Sequence, residues 1–280
     1  MSSEIIITAK DHLVSKENFD IVAYKNGILK TTPVPEDLSA YYESDSYISH
    51  TDNRNNLMDK IYGSVKSYML SKKKNWISAL KKEGKILDIG AGTGDFLNRF
   101  QDGNWKTYGV EPNKKARDFA AKKNLNLVQD LNDVKTANFD VISLWHVLEH
   151  IPNLEEQLKR IEALLDEKGI LIIAVPNYES FDAKYYKSNW AAWDTPRHLW
   201  HFSRSGIKAE MQKYGFECFQ TKALIFDSYY VSLLSEQYKG IKGLKINAIK
   251  IGLKSNLKAR STKEYSSIAY FFRKAAKNEN

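Results

Sequence analysis

Three glycines and three carboxylates recur along this chain at spacings that would suit a nucleoside. In ILDIGAGTGDFL (86–97) an apolar run passes Asp88 and ends in Gly90, Gly92 and Gly94. Glycine lets a backbone turn sharply and lets a ligand approach with no Cβ between them. The spacing is G-x-G-x-G, which differs from the G-x-G-x-x-G of dinucleotide loops. Glu111 follows Gly90 by 21 residues, at the close of the next apolar run, KTYGVEP (106–112). A carboxylate there can accept both hydroxyls of a ribose. A ribose contact without a pyrophosphate cradle points to adenosine carried on something other than a dinucleotide. Asp130 ends a third run, NLVQD (126–130), where it could take an adenine amine, cap a helix or face solvent.

Histidine titrates near neutral pH and suits proton transfer. Five of the six histidines fall in segments of interest: His146 and His150 in WHVLEH (145–150), His198 and His201 in DTPRHLWHF (194–202), and His50 after the tyrosine-rich YYESDSY (41–47). A lone histidine is more often structural, but two pairs on segments expected to meet favour chemistry. His150 is the first candidate for a base and His198 the second, with His146 lining the pocket. Glu149 either orients one of these rings or caps the next helix. H-x-x-E-H (146–150) is also a zinc-protease spelling, which requires a helix and a further ligand. Pro152 follows at once, so no metal ligand is assigned.

These residues need a scaffold, and the texture of the chain predicts one. Apolar residues from Leu57 to Leu80 recur at three- and four-residue steps, predicting an amphipathic helix over 56–82 with a break near Lys72. Strands are predicted at 85–90, 106–112, 126–130, 139–146 and 169–177. Helices are predicted to start at 95 and to cover 113–124, capped by Asn113, and 153–165, capped by Asn153. A helix over 203–215 and a strand over 216–227 follow. Continuous apolar strands separated by helices make a parallel sheet covered on both faces. The stretch 178–202 carries Phe181, Tyr185, Tyr186, Trp190, Trp193, Trp200 and Phe202. It reads as a lid over a hydrophobic or planar acceptor, or as the packing of a surface insert. Arg197 is placed to pair with an acceptor's anionic group or with Asp194.

With these motifs in view, the chain resembles the class I S-adenosylmethionine-dependent methyltransferases, in the broad group that includes quinone-biosynthesis O-methyltransferases. ILDIGAGTG matches their first signature, GVEP the second, and FDVISLWHVLEHIPN the region after the fourth strand. The resemblance spans roughly residues 56–227. It implies a Rossmann-like, seven-stranded, doubly wound sheet flanked by helices, parallel except for an antiparallel last strand, for which YSSIAYFFRK (265–274) is the candidate. It implies S-adenosylmethionine as cofactor. Asp88 would hold the methionine end with Gly90, Gly92 and Gly94 lining it, Glu111 the ribose, Asp130 the adenine edge, and Trp145 would pack on the cofactor. Some quinone methyltransferases carry E-x-x-E-H and use a divalent cation. Here His146 replaces the first glutamate, which argues against a metal. Related chains begin with a zinc ribbon whose cysteines are absent here, so residues 1–55 read as a metal-free cap. Tyr41, Tyr42 and Tyr47 would close over the cofactor or pack that cap. Residues 56–280 read as the methyltransferase domain, with the aromatic insert 178–202 and a basic helical insert 229–262.

Composition narrows the function classes. The single cysteine, Cys218, excludes an intrachain disulfide framework. MSSEIIITAK has no signal-peptide pattern, and the longest apolar run, Ile170 to Val175, is too short to span a bilayer. A cytoplasmic location is the default expectation. The net charge of +8 resides in Glu236–Asn280, where 11 Lys or Arg face 3 Asp or Glu (11 − 3 = +8). Ile246, Ile249, Leu253 and Leu257 form a stripe there beside Lys250, Lys254 and Lys258. Contact with an anionic membrane surface is one reading. A helix packed on its own domain with solvated lysines is the simpler one. Nucleic acid is disfavoured, because no N-P-P-Y-like motif occurs and the basic residues are not interleaved with aromatics. The leading expectation is methyl transfer to oxygen of a small or lipid-like acceptor, with nitrogen or carbon as the alternative.

Overall fold

The computed structural model describes residues 4–25, 27–42, 57–241 and 246–276, with the backbone alone for 57–62. Tyr47 and His50 lie outside the described residues. The chain opens with an antiparallel meander of β1 (Ile5–Lys10), β2 (Asn18–Lys25) and β3 (Ile28–Thr32). A long helix, α1 (Leu57–Ser78), follows. It runs unbroken through Lys72, contrary to the expected break, and stops four residues short of 82. Lysine is a good helix former. The ammonium groups here stand over aromatic rings, Lys72 over Tyr68 and Trp76 and Lys74 over Phe100.

The body alternates as its apolar runs predict. β4 (Gly84–Ile89), β5 (Trp105–Val110), β6 (Leu127–Val128), β7 (Phe139–Trp145) and β8 (Leu165–Pro176) are parallel neighbours. Between them lie α2 (Lys114–Ala121) and α3 (Leu154–Leu164). Asn113 caps α2 through its side chain, which accepts from Ala116 N. Asn153 occupies the cap position of α3 but makes no side-chain cap hydrogen bond. The helix expected from residue 95 is only a 3-10 turn, Leu97–Phe100. Leu97 and Phe100 are both buried, and the 3-10 geometry stacks residues three apart on one side.

After β8 come α4 (Phe181–Tyr186), β9 (Trp200–Phe202), α5 (Arg204–Gln212) and β10 (Phe216–Ala223). The paired helices α6 (Asp227–Tyr238) and α7 (Ile246–Thr262) precede β11 (Ser267–Lys274). The main sheet has the order β10-β11-β8-β7-β4-β5-β6, and β11 runs antiparallel to both β8 and β10. The expected seven-stranded, doubly wound sheet with an antiparallel last strand is thus present. Its central strands are covered on both faces: Leu87, Ile142, Ile172 and Ile173 are fully buried. Each such side chain contributes about 1.5–3 kcal/mol of transfer free energy.

The aromatic insert packs against the N-terminal meander. β9 pairs with β3 to complete a second, four-stranded sheet. Trp190 and Trp193 are buried with Ile21 and Leu29 of that sheet and Val231 and Ile251 of α6 and α7. Ser180 caps α4, and Ser203 caps α5.

Candidate functional site

The carboxyl ends of β4, β5 and β7 converge on one edge of the main sheet. The glycine loop leaves β4 with its backbone tied to β5, since Gly90 N and Ala91 N both donate to Val110 O (2.8 and 2.9 Å). Gly90 has φ +71°, and a Cβ there would collide with Val147, so the loop after β7 lies directly against the glycine loop. Gly92 has φ +54° and nothing within 4 Å of where its Cβ would stand, which leaves open space above the loop. Gly94, at φ +76°, turns the chain toward Leu125 and Ala120. Glu111 is gripped from two sides: Oε2 accepts from Gly92 N (2.8 Å) and Oε1 from Asn113 N (2.9 Å). Its remaining acceptor capacity is therefore preoriented over the loop.

Asp88 is buried beside Ser143, whose hydroxyl donates to Oδ1 at 2.6 Å. Burial raises its pKa to about 7, against the opposing influence of Ser143 and Lys73. Lys73, on α1, sits 4.2 Å from the centre of the Trp145 ring. Burial lowers its pKa, while Asp227 and Asp88 pull it back. Its ammonium has no hydrogen-bond or ion-pair partner among the described residues. Trp145 stands edge-on to Phe96, and its Nε1 is buried without a hydrogen-bond partner. These features fit an adenosyl amino acid: an open glycine cradle, a carboxylate acceptor held by two backbone N–H groups, a cation without an ion-pair partner among the described residues and an unpaired indole donor.

His146 adopts φ +59° just past β7. Its Nε2 contacts Asp227 Oδ2 at 2.9 Å and its Nδ1 lies 3.3 Å from Glu149 Oε1. Burial opposes its charge, but the two carboxylates prevail and raise its pKa to about 9. It is an imidazolium at neutral pH and has no lone pair to offer a proton.

His150 is the opposite case. Its Nδ1 faces Arg197 O at 3.0 Å and Tyr42 OH at 3.1 Å. A carbonyl only accepts, so Nδ1 carries the hydrogen and Nε2 keeps the lone pair. Burial, reinforced by His198, lowers the pKa to about 4, so the ring is neutral. His198 has its Nδ1 on Ala192 O (2.9 Å), which fixes the same tautomer, and its ring stands edge-on to His150 with centroids 4.6 Å apart. His201 hydrogen-bonds to Thr31 through Nε2 at 2.9 Å, with burial holding its pKa well below the usual value. Glu149 is buried, and neither carboxylate oxygen has a hydrogen-bond partner. Burial works against its charge, yet the neighbouring imidazoles, His146 foremost, keep its pKa below the usual range. One ligand atom each of Glu149, His150 and His198 lies within 4.8 Å of the others, a grouping that could hold a metal ion. Arg197 pairs with Asp194 through two nitrogens, Nε at 3.0 Å to Oδ2 and Nη2 to Oδ1.

The structure thus gathers Asp88, Glu111, Trp145 and His146 around the glycine loop, and His150 with His198 beside them. Asp130 is used locally. It caps the 3-10 turn Leu131–Asp133, accepting from Asn132 N at 2.7 Å within a reciprocal capping box with Asp133. Two residues come to the site from outside the motifs, Lys73 and Asp227, and Tyr42, expected to close over the cofactor or pack the cap, lies against His150. Lys73 stands within KKK (72–74), which in sequence looks like a solvated face. Asp227 is 81 residues from its partner His146, and Tyr42 108 from His150.

Comparison with known proteins agrees with this architecture. The model of a family described as "Methyltransferase domain" matches residues 64–221. An uncharacterized methyltransferase of Alkaliphilus oremlandii is 31% identical over 111 residues, covering 37% of this chain and 51% of that protein. The chain spans only about half the length of this curated relative. Among solved structures, the magnesium protoporphyrin IX methyltransferase of Synechocystis superposes with a TM-score of 0.54 at 14% identity, covering 84% of this chain and 97% of that one. A SAM-dependent methyltransferase of Thermotoga maritima gives 0.52 at 18% identity, covering 76% and 93%. At such identities the likeness is one of fold.

Proposed function

The chain belongs to the methyltransferase-domain family, and from that premise we propose that it moves a methyl group from S-adenosylmethionine to an oxygen of a small or lipid-like acceptor. When bound, the cofactor supplies a methyl on a sulfonium, so the leaving group is already activated and the protein has chiefly to align and to exclude water. Glu111, held by Gly92 N and Asn113 N, receives the ribose hydroxyls. Asp88 receives the amino group of the methionine end, and Lys73 its carboxylate. Trp145, backed by Phe96, closes the apolar side.

The observation that carries the oxygen reading is the fixed tautomer of His150. A hydroxyl acceptor must lose its proton as the methyl arrives, and a neutral amine need not. Nε2 of His150 is a lone pair kept unprotonated at neutral pH. The buried Glu149 carboxylate beside it stabilises the ring once it takes the proton. His198 lines the same wall, and His146, already an imidazolium, positions Glu149.

Calorimetric titration with S-adenosylmethionine, with NAD as control, tests the cofactor. Saturable binding of the first alone supports the reading, and no binding removes it. Phenolic and lipid-like hydroxyl acceptors then test the acceptor atom. Turnover with amines and none with hydroxyls would replace oxygen by nitrogen.

A further inference from the structure

The helix α7 is built inside out. Its packed face consists of Ala248, Ile251, Gly252, Ser255 and Ala259, mostly small residues that let it lie close to α6. A Cβ on Gly252 would press on Tyr229. The large aliphatic residues point the other way: Ile246, Ile249, Leu253 and Leu257 are 52%, 56%, 48% and 48% exposed. The helix is packed on its own domain with its lysines exposed, as the simpler sequence reading has it, but the aliphatic stripe is not the face that packs. At 100° and 1.5 Å per residue these four lie within an arc of roughly 80° and along about 16 Å of helix. A continuous apolar ridge of this kind marks an interaction surface, unlike scattered exposed aliphatics.

The flanking charges select the occupant. Lys250, Lys254 and Lys258 run along one side of the ridge, all exposed, and the ammonium groups of Lys254 and Lys258 stand 5.2 and 4.4 Å from the Phe181 ring centroid. The segment Ile246–Thr262 has no aspartate or glutamate, and the whole excess charge of the chain lies between Glu236 and Asn280. A second copy docked ridge to ridge in antiparallel fashion would set two lysine rows against each other, and a parallel one would leave both rows without an anionic partner, since this helix carries no acidic residue. A lipid surface carrying negative headgroups answers both features at once: aliphatic side chains enter the acyl boundary while the lysines reach the phosphates.

We propose that α7 is an interfacial helix that seats this protein on an anionic bilayer surface, with Ile246, Ile249, Leu253 and Leu257 entering the lipid and the lysine row on the headgroups. This is independent of the acceptor chemistry proposed above. The test is co-sedimentation of the full chain with vesicles of phosphatidylcholine containing phosphatidylglycerol, and with phosphatidylcholine alone. Wild type is expected to sediment with the anionic vesicles and at least about tenfold more weakly with neutral ones, with the difference shrinking as salt rises. The double variant Ile249→Ser/Leu253→Ser is expected to lose about tenfold or more in partitioning at all salt concentrations. Lys250→Glu/Lys254→Glu is expected to lose it chiefly at low salt. Neither pair belongs to the cofactor site, so unchanged calorimetric binding of S-adenosylmethionine shows that each variant is folded. No sedimentation of wild type with anionic vesicles would overturn the proposal. So would sedimentation that the serine variant leaves intact, or a dimer in solution that the serine variant dissolves.

Discussion

Glutamate 111 offers a test in which a mild and a severe substitution are expected to act alike. Each carboxylate oxygen already accepts one backbone N–H, from Gly92 and from Asn113. In Glu111→Gln one of those oxygens becomes an amide nitrogen facing a backbone donor. Donor then meets donor, and either the loop at Gly92 or the turn at Asn113 must let go. Glutamine is usually the mild replacement for glutamate, but here it should behave almost as badly as alanine. Hydrogen bonds to a charged group contribute about 1.5–3 kcal/mol each. Losing a ribose hydroxyl pair, with water as partial replacement, costs about 2–4 kcal/mol, which is roughly 30- to 1,000-fold in affinity. Calorimetry with S-adenosylhomocysteine and with adenosine should show the loss for both ligands, because the ribose is common to them. A glutamine variant with near wild-type affinity would refute the reasoning, since the carboxylate would then be dispensable both to the loop and to the ribose.

Other expectations follow from the same geometry. Lys73→Met should weaken S-adenosylhomocysteine by about tenfold and leave 5′-methylthioadenosine, which lacks the amino acid, unchanged; equal losses for both ligands would remove Lys73 from the carboxylate. Because Asp88 holds its proton up to about pH 7 and a cationic ligand favours the ionised form, cofactor affinity should rise with pH to about 7 and then level off, by at most about tenfold per unit. A flat profile in calorimetry would show that Asp88 does not titrate with binding. His146 has a folded pKa of about 9 against an ordinary 6.5, so its stabilisation is complete below the ordinary value and is lost as pH rises through about 9; thermal melts of wild type should fall across that window, and those of Asp227→Asn should fall less. His150→Ala should cut turnover about a hundredfold or more with cofactor affinity within about twofold, and full activity would clear this residue of any catalytic role.

Much of the scaffold could be read from the sequence because it rests on local rules. Strands buried on both faces spell continuous apolar runs, and β4, β7 and β8 come close to this, while β5 is buried only at Gly109 and Val110. The Asn113 cap was accessible for a similar reason, whereas the antiparallel β11 was expected from the family resemblance. Elements too short to carry a period were not accessible. The three residues of β9 show no alternation, so their pairing with β3 came only from the structure. At Asp130, where the sequence left an adenine contact, a cap and solvent exposure open, the carboxylate caps the next turn, as Asp and Asn so often do. The site itself divides the same way. Its glycine loop and Glu111 lie within one strand-turn-strand unit and are visible as spacing. The electrostatic partners that decide which histidine can take a proton are remote in sequence. Two histidines four residues apart end with opposite charge states, because Asp227 arrives beside one while burial and the neighbouring His198 disfavour charge on the other.

That remote partner connects two parts of the molecule that look separate in sequence. Asp227 opens α6 and holds His146 at the site edge. The same first turn of α6 carries Ser228 and Tyr229. Ser228 donates to Gly252 O at 3.2 Å, and Asn256 reaches Ile225 O at 2.9 Å, so α7 is bolted to α6 at the point where α6 grips the site. The small residues on the packed face of α7 make this contact close, and that same choice sends its large aliphatics outward. Replacing them by polar residues would leave the contacts on α6 intact, because the two faces share no side chain. The helix pair can therefore present an apolar ridge to a surface without loosening the imidazolium beside the cofactor cleft. A chain that had buried its aliphatics in the α6–α7 contact would have no ridge to present, and the lysines beside it would be no more than a solvated face.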